Sequence, residues 1–543
     1  MVIANSPERR TTATSKPVFL QPLWAGPAIG RAFGFCLSDA NGAGPWTGLT
    51  SQPKSSPSMT DSPNQRSATK LHPDRPNPLI IQGGMGVGVS GWNLARTVSQ
   101  RGMLGVVSGT AVDTLVVRRL QQSDVGGHYR RALEAFPLRD MAEKFVETYF
   151  RAEPVERFKL LTLPQYPATP ERDAMIMMGA FAEVYLAKEG HNGLVGINLL
   201  TKIQFPTLAT LYGAMLAGVD YVLMGAGIPR EVPGILDRYT TGGAATLKLD
   251  VQGIAGHETV DMIFDPRTHF PEPLALKRPK FLAIVSTHSL AGIMAKKATG
   301  HVDGFVVEAP EAGGHNAPPR GKDVNARGEP QYGPRDYADL AAMREIGRPF
   351  WLAGNGSSPA VMKAALASGA EGLQVGTLFA FSDESGITTE IKRQVVELAM
   401  SGKAEVYTDP RISPTGFPFK VLELAGTLSD DREFDARPKR CDLGYLRAAY
   451  RKEDGTIGFR CASEPDREFL KKGGDGTEIA GRKCLCNALS GTIGMAQANK
   501  DGYTEKAVVT TGDQVKKLAE FLPPGTTHYS ANLVIDYLLQ GAT

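Results

Sequence analysis

A chain of 543 residues and 58.2 kDa is long enough for one large domain with appendages or for several smaller ones. Its 42% hydrophobic and 22% charged residues are ordinary for a soluble globular protein, and a formal charge of +3 without a dense Lys/Arg stripe argues against nucleic acid as a partner. No apolar run reaches membrane-spanning length and no charged start precedes an apolar signal core, so neither membrane insertion nor export is expected.

Residues 1–76 are rich in Ser, Thr, Pro, Gly and Asn without a sustained period, and are predicted to be disordered. Met59 begins a shorter polar lead-in and is the expected start of translation, which leaves residues 1–58 without an assigned role. From 77 to 403 short apolar runs alternate with helical segments. The runs Leu79–Gln82, Leu104–Ser108, Val195–Leu200, Tyr221–Met224, Phe281–Ser286, Gly304–Val307, Phe350–Ala353 and Gly372–Val375 read as strands. Helices are predicted at Trp92–Gln100, Pro206–Ala217, Leu290–Thr299, Tyr337–Ile346, Pro359–Ser368 and Ile387–Ser401. Continuously apolar strands separated by helices imply a parallel sheet covered on both faces, and this number of units matches a (β/α)8 TIM barrel of the α/β class. Residues 111–190, helical and Met-rich, and 241–279, with a hairpin signal, are insertions expected to form a lid. Residues 404–543 are a C-terminal extension expected to cap the barrel, with helices near Asn487–Asn499 and Asp513–Phe521 and an extended connector at Pro414–Lys420.

Four strand exits carry glycine: Gln82-Gly83-Gly84-Met85-Gly86-Val87-Gly88, Glu311-Ala312-Gly313-Gly314-His315, Ala353-Gly354-Asn355-Gly356-Ser357 and Gln374-Val375-Gly376-Thr377. Barrel turns need glycine anyway, so no single exit is diagnostic. The last two, however, fall after the seventh and eighth strands, where barrels commonly bind phosphate through backbone N–H groups. A lone histidine is more often a satisfied structural residue; His315 earns a role from its place after an apolar strand, behind two glycines. The spacing Gly84-x-Gly86-x-Gly88 also suggests a dinucleotide turn, but the second strand ends in Val106-Val107-Ser108 with no acidic residue for a ribose.

The segments PLIIQGGMG, Gly196-Ile197-Asn198-Leu199, EAGGH, AGNGS and GLQVGT-x-F resemble, in that order, the nitronate monooxygenase (2-nitropropane dioxygenase) family, which shares its barrel with flavin-dependent enoyl reductases. The resemblance covers roughly residues 77–400. It implies FMN, with Gly354, Gly356, Gly376 and Thr377 at the phosphate. It also implies Gln82, Gly83, Gly84 and Met85 along the isoalloxazine, and Asn198 near the ring. Gly313, Gly314 and Gln374 complete the expected cofactor set, and His315 would be the catalytic base or would orient an anionic nitronate. The implied reaction oxidises an alkyl nitronate with O2 to a carbonyl compound and nitrite. Where the family has a second glycine, this chain has Asn355. The alternatives are an NAD(P)H-dependent enoyl reductase and a flavin-free phosphate-binding lyase or isomerase; no lysine stands at a strand's C-terminal end to serve the latter.

Five cysteines, an odd number, fit a reducing cytosol, so a cytoplasmic location is expected. Cys441, Cys461, Cys484 and Cys486 could ligate zinc or an iron–sulfur cluster, but one CxC and no CxxC favour free thiols, and no metal is assigned. Glu308 and Glu311 straddle a strand exit and are candidates to steer a cationic substrate group, but are expected to face solvent or cap the loop; His191 and Met175–Met178 are expected to be structural. Tyr332 and Arg335 are candidates to close over a substrate, and Arg320 to bind a carboxylate. The expected partners are a small-molecule substrate and O2, with a homodimer as the candidate assembly.

Overall fold

A computed structural model describes residues 76–272 and 274–542. The expectations for Met59 and for disorder in residues 1–76 lie outside the described residues, apart from residue 76 itself. Eight strands share one parallel sheet: β1 (Ile80–Gln82), β2 (Gly105–Ser108), β3 (Val195–Leu200), β4 (Tyr221–Gly225), β5 (Lys280–Val285), β6 (Gly304–Glu308), β7 (Phe350–Ala353) and β8 (Gly372–Val375). Their order is β1-β8-β7-β6-β5-β4-β3-β2. The ring closes where Ile81 bridges Leu104, with Gln82 N–H donating to Leu104 O at 2.9 Å and Leu104 N–H to Ile80 O at 3.0 Å. The chain is a (β/α)8 barrel.

Side chains alternate across each strand. Ile81, Leu104, Val106, Leu223, Leu282, Val306 and Trp351 fill the barrel interior, while Ile80, Val107, Ile197, Val222 and Phe305 face the surrounding helices. Burial on both faces is why these strands read as unbroken apolar runs and not as alternating ones. The one indole in this interior, Trp351, donates its N–H to Pro78 O at 2.7 Å and so leaves no unpaired polar group.

Helices follow the strands at Trp92–Gln100, Pro170–Lys188, Thr207–Leu216, Val232–Thr240, His288–Lys297, Leu340–Glu345 and Pro359–Ala367. The final helix, Ala531–Leu539, packs against both Trp92–Gln100 and Pro359–Ala367 and takes the eighth outer position. The predicted helix over 387–401 forms as Thr389–Met400, but it packs on residues 513–521 instead.

Both insertions pack largely on the outside of the barrel and against the extension. The longest helix of 111–190, Pro170–Lys188, is capped by Thr169, whose hydroxyl accepts from Arg172 N–H at 3.3 Å, and lies between its neighbours as the second barrel helix. The preceding helix, Val112–Gln121, is a platform for the extension: Thr114 bonds Tyr445 OH at 2.7 Å and Arg118 donates to Met495 O at 2.6 Å. In 241–279 the hairpin Ala245–Leu249/Val260–Phe264 forms, but Phe264 packs against Tyr212 and Tyr239 on outer helices. Beside it, Val251–Gln252 pairs with Ala448–Arg451 of the extension. In the extension, Leu485–Thr492 is helical, 513–521 is a 3-10 turn running into a short helix, and the connector at 414–420 enters a strand, Phe419–Leu422, paired with Val406–Asp409. Among the described residues no helix is long and apolar enough to cross a membrane.

Leu538 is fully buried at the seam that the last helix closes. Leu538→Ala is expected to cost about 2–5 kcal/mol of unfolding free energy, read as a lowered urea midpoint at unchanged slope.

Candidate active site

One cavity opens at the carboxyl ends of the barrel strands, where (β/α)8 enzymes carry their chemistry. Gly83, Gly84, Met85, Asn198, Gly313, Gly314, His315, Gly354, Gln374, Gly376 and Thr377 all line it. Two residues expected at the cofactor do not. The Gln82 amide is spent on the scaffold, donating to Ser90 Oγ at 2.8 Å and to Gly83 O at 2.5 Å and accepting from Val106 N–H at 3.0 Å, so it braces β1 against β2. Gly356 shapes the turn after β7 with a φ of 128° and is not part of the lining of this cavity. At Gly84 a Cβ would stand 2.2 Å from Asn198 Cβ, so only glycine lets the first exit pass over β3.

Much of the wall comes from the extension: Phe419, Tyr445, Leu446, Leu485, Cys486, Leu489, Thr510, Thr511, Gly512 and Gln514. No motif marks these residues. The nearest signal is Thr510-Thr511-Gly512, a small-residue run after an apolar pair. Its segment lies against the EAGGH loop through one side-chain and one backbone hydrogen bond, with Lys420 adding a third from the neighbouring strand. Gly314 N–H donates to Thr510 Oγ1 at 3.0 Å, Asp513 N–H to Glu311 O at 3.1 Å and Lys420 N–H to Gly314 O at 3.0 Å. A Cβ on Gly313 would stand 2.6 Å from Gly512 N.

His315 is half-buried, its Nε2 2.7 Å from Ser413 Oγ and its ring edge-on to Phe419 with centroids 4.8 Å apart. Burial pulls its pKa down to about 4, so the imidazole is neutral at physiological pH and a weak base. Glu308, at the tip of β6, turns into the cavity instead of into solvent, and burial pushes its carboxyl up to about 7. Both residues also line a second cavity, together with Ala226 and Ile284, so they stand in the wall between two chambers. Arg320, Tyr332 and Asp336 lie in the second chamber; Tyr332 OH donates to Ala317 O at 3.1 Å and Asp336 Oδ1 accepts from Arg320 N–H at 2.8 Å. Arg335 lines neither. Glu311 accepts from Tyr337 OH at 2.6 Å. His191 bonds Ala187 O at 2.7 Å and accepts from Gly193 N–H at 3.0 Å, and Met177 and Met178 are buried, as structural residues are.

The cavity offers two kinds of polar group to a ligand, an anion-favouring helix end and an unpartnered buried acceptor. Thr377 Oγ1 already accepts from Gly512 N–H at 3.0 Å, which leaves its proton to donate outward. Ser357 stands at the start of the helix Pro359–Ala367, whose amino end favours an anion. Elsewhere in the cavity, Gln374 Oε1 is buried without a hydrogen-bond partner, an acceptor open to an N–H.

Gly313→Ala is expected to push residues 510–513 off the loop and to cost about 1–3 kcal/mol in denaturant unfolding. The pH dependence of stability has two opposed parts. Folded Glu308 holds its proton to higher pH than its usual 4.5, so its contribution is complete at low pH and is lost as pH rises through about 7. His315 works the other way, losing stability as pH falls from 6.5 through about 4. Glu308→Gln should therefore gain about 1–3 kcal/mol over the parent at pH 8 relative to pH 5, read from urea midpoints at both pH values.

No protein-family model and no curated protein matches the sequence. Among solved structures the chain is similar to FabK from Thermotoga maritima, at 15% identity and a TM-score of 0.41 over 86% of this chain and 93% of that one. It is similar to nitroalkane oxidase from Streptomyces ansochromogenes, at 15% identity and 0.42 over 86% and 95%. It is also similar to the enoyl reductase domain of MlnA from the macrolactin biosynthesis cluster of Bacillus amyloliquefaciens, at 12% identity and 0.41 over 86% and 94%.

Proposed function

We propose that this chain is an FMN-dependent oxidoreductase. The observation that supports it best is the pairing, in one cavity, of an anion-favouring end at Ser357, Gly376 and Thr377 with an unpartnered acceptor at Gln374. In this reading Gly354, Ser357, Gly376 and Thr377 hold the FMN phosphate, and Gly83, Gly84, Met85, Asn198 and Gln374 hold the ring. FMN supplies hydride or electron transfer when bound; the protein supplies position, dryness and protons.

The two titratable groups in the chamber wall favour reduction of a carbon–carbon double bond conjugated to a carbonyl, with NAD(P)H as reductant. That reaction adds a hydride and a proton across the double bond. Glu308 keeps its proton near neutral pH and faces the cavity, so its carboxyl is the group suited to deliver the proton. Neutral His315, fixed against Ser413, orients the carbonyl. The second chamber gives room for the rest of an acyl chain, and Arg320 lies there for an anionic group.

Oxidation of an alkyl nitronate with O2 to a carbonyl compound and nitrite is the second reading. The weak basicity of His315 favours it in one form: a preformed nitronate, already anionic, needs a hydrogen bond and no base.

An absorbance spectrum of the purified protein, taken before and after anaerobic NADH and then anaerobic nitronate, separates these readings. Flavin bands bleached by NADH and restored by an enoyl thioester are the expected result. Bleaching by nitronate alone would move the assignment to the second reading, and no flavin after reconstitution with FMN would overturn both. Glu308→Gln should retain FMN, lose about 10²-fold or more in turnover, and lose the ionisation near pH 7 from the rate profile. His315→Asn should likewise retain FMN, with its loss of turnover independent of pH above about 5, since the parent imidazole is already neutral there.

A further inference from the structure

The second chamber is the part of the site that the proposed flavin leaves unused. None of the residues assigned to FMN lines it, yet it shares Glu308, His315, Ala226 and Ile284 with the first cavity. It therefore opens off the wall that carries the two titratable groups. With a volume of about 270 Å³ it has room for an acyl chain or for the arm that carries one, and its polar groups decide between them.

Asn316 is 3% exposed and lines this chamber. The turn behind it orients its amide: Nδ2 donates to Pro310 O at 3.2 Å and to Ala312 O at 3.0 Å, which uses both protons. Those carbonyls can only accept, so the amide cannot be reversed, and Oδ1 is left buried with no hydrogen-bond partner. A buried acceptor in that condition costs free energy until an N–H or O–H reaches it.

The same chamber favours an anion. Thr287 and Leu290 line it at the start of the helix His288–Lys297. Thr287 Oγ1 accepts from Leu290 N–H at 3.3 Å, which leaves other N–H groups of the first turn for a ligand. The Arg320 guanidinium makes no hydrogen bond or ion pair among the described residues. Asp336, which shares the chamber, is already spent: Oδ1 accepts from Arg320 N–H at 2.8 Å and Oδ2 from Gly333 N–H at 2.8 Å. The positive charge of Arg320 is thus open to a ligand.

A plain acyl chain has neither a donor for Asn316 nor an anion for Arg320. The arm that carries an acyl group as a thioester has both, since amide N–H groups follow the sulfur and a phosphate closes the arm. The loop presents matching groups in the same order, with His315 for the thioester carbonyl, Asn316 next to it and Arg320 further along. We propose that the second chamber binds the phosphopantetheine arm of the thioester substrate. Asn316 Oδ1 accepts from an amide of the arm, and Arg320 with the start of His288–Lys297 takes the phosphate. This site deepens the enoyl-reductase reading and rests on it.

The test compares three thioesters as substrates for the full chain with FMN and NADH. They are crotonyl-phosphopantetheine, crotonyl-pantetheine, which lacks only the phosphate, and S-ethyl crotonothioate, which lacks the amides as well. A fall in kcat/KM of about tenfold or more is expected at each truncation. Arg320→Ala should lower kcat/KM to a similar extent for the first thioester alone, and Asn316→Leu should remove the advantage of the pantetheine thioester over the ethyl one. Equal kcat/KM for all three, or a phosphate preference that Arg320→Ala leaves intact, overturns the proposal. Should Asn316→Leu fail to fold, the substrate series on the parent chain and on Arg320→Ala still decides. Failure of the enoyl-reductase reading itself looks different, as a chain that reduces none of the three. Calorimetry with free phosphopantetheine then decides the site alone. Binding weakened about tenfold by Arg320→Ala sustains it; binding that the substitution leaves unchanged, or none, overturns it.

Discussion

The mouth of this barrel depends on a contact between two stretches of bare backbone, at Gly313 and Gly512. Neither position has room for a methyl group: a Cβ on Gly512 would stand 2.7 Å from Glu311 O, as one on Gly313 would crowd Gly512 N. Because the chains touch at main-chain distance, their amides and carbonyls can pair directly, and the loop after β6 is held by the extension on both sides. His315, two residues on, inherits its position from that joint, and so does the Asn316 N–H bond to Pro418 O at 2.9 Å. Thr377, beside the same joint, accepts from Gly512 N–H. The extension thus fixes the loop after β6 and Thr377 together.

The electrostatics follow from the same enclosure. One cause, removal from water, moves His315 down and Glu308 up, since it penalises whichever form carries charge. Two groups whose ordinary protonation behaviour is separated by about two pH units exchange order, and near neutrality the carboxyl is the better proton donor and the imidazole a neutral partner. An open barrel mouth would leave both groups hydrated and their order unchanged.

The barrel was legible because its information is local. Each strand is a short, mostly apolar run, and all eight lie within one residue of their expected ends. The floor of the site was legible for a related reason: close backbone approaches demand glycine at fixed places, as at Gly84 and Gly354. Gln82 shows the limit. Its position at a strand exit suggests a ligand, while its actual bonds, to Ser90 and Val106, depend on which strands become neighbours. The insertions show it again. A helical, Met-rich segment reads the same whether it covers a mouth or fills a place in the ring, and only the packing of Pro170–Lys188 between its neighbours decides. The roof residues, from Phe419 to Gln514, are scattered through the extension with no period to join them; Glu308 was misjudged because charge alone suggests solvent.

The last helix carries a consequence for how the molecule is made. Ala531–Leu539 lies between a helix that begins at residue 92 and one that ends at residue 367, and Arg101 meets Asp536 at 2.6 Å and Asn532 at 3.1 Å. During synthesis the chain emerges from its amino end, so the outer ring keeps a gap until Ala531–Leu539 has left the ribosome. Contacts that join the two ends of a chain are slow to find, because a long loop must close before they return any stability. Until then the apolar flank of Trp92–Gln100, with Leu94 and Val98 fully buried in the finished fold, faces water. A chain that lacks Ala531–Leu539 leaves that flank uncovered, and this helix acts as the latch that closes the ring.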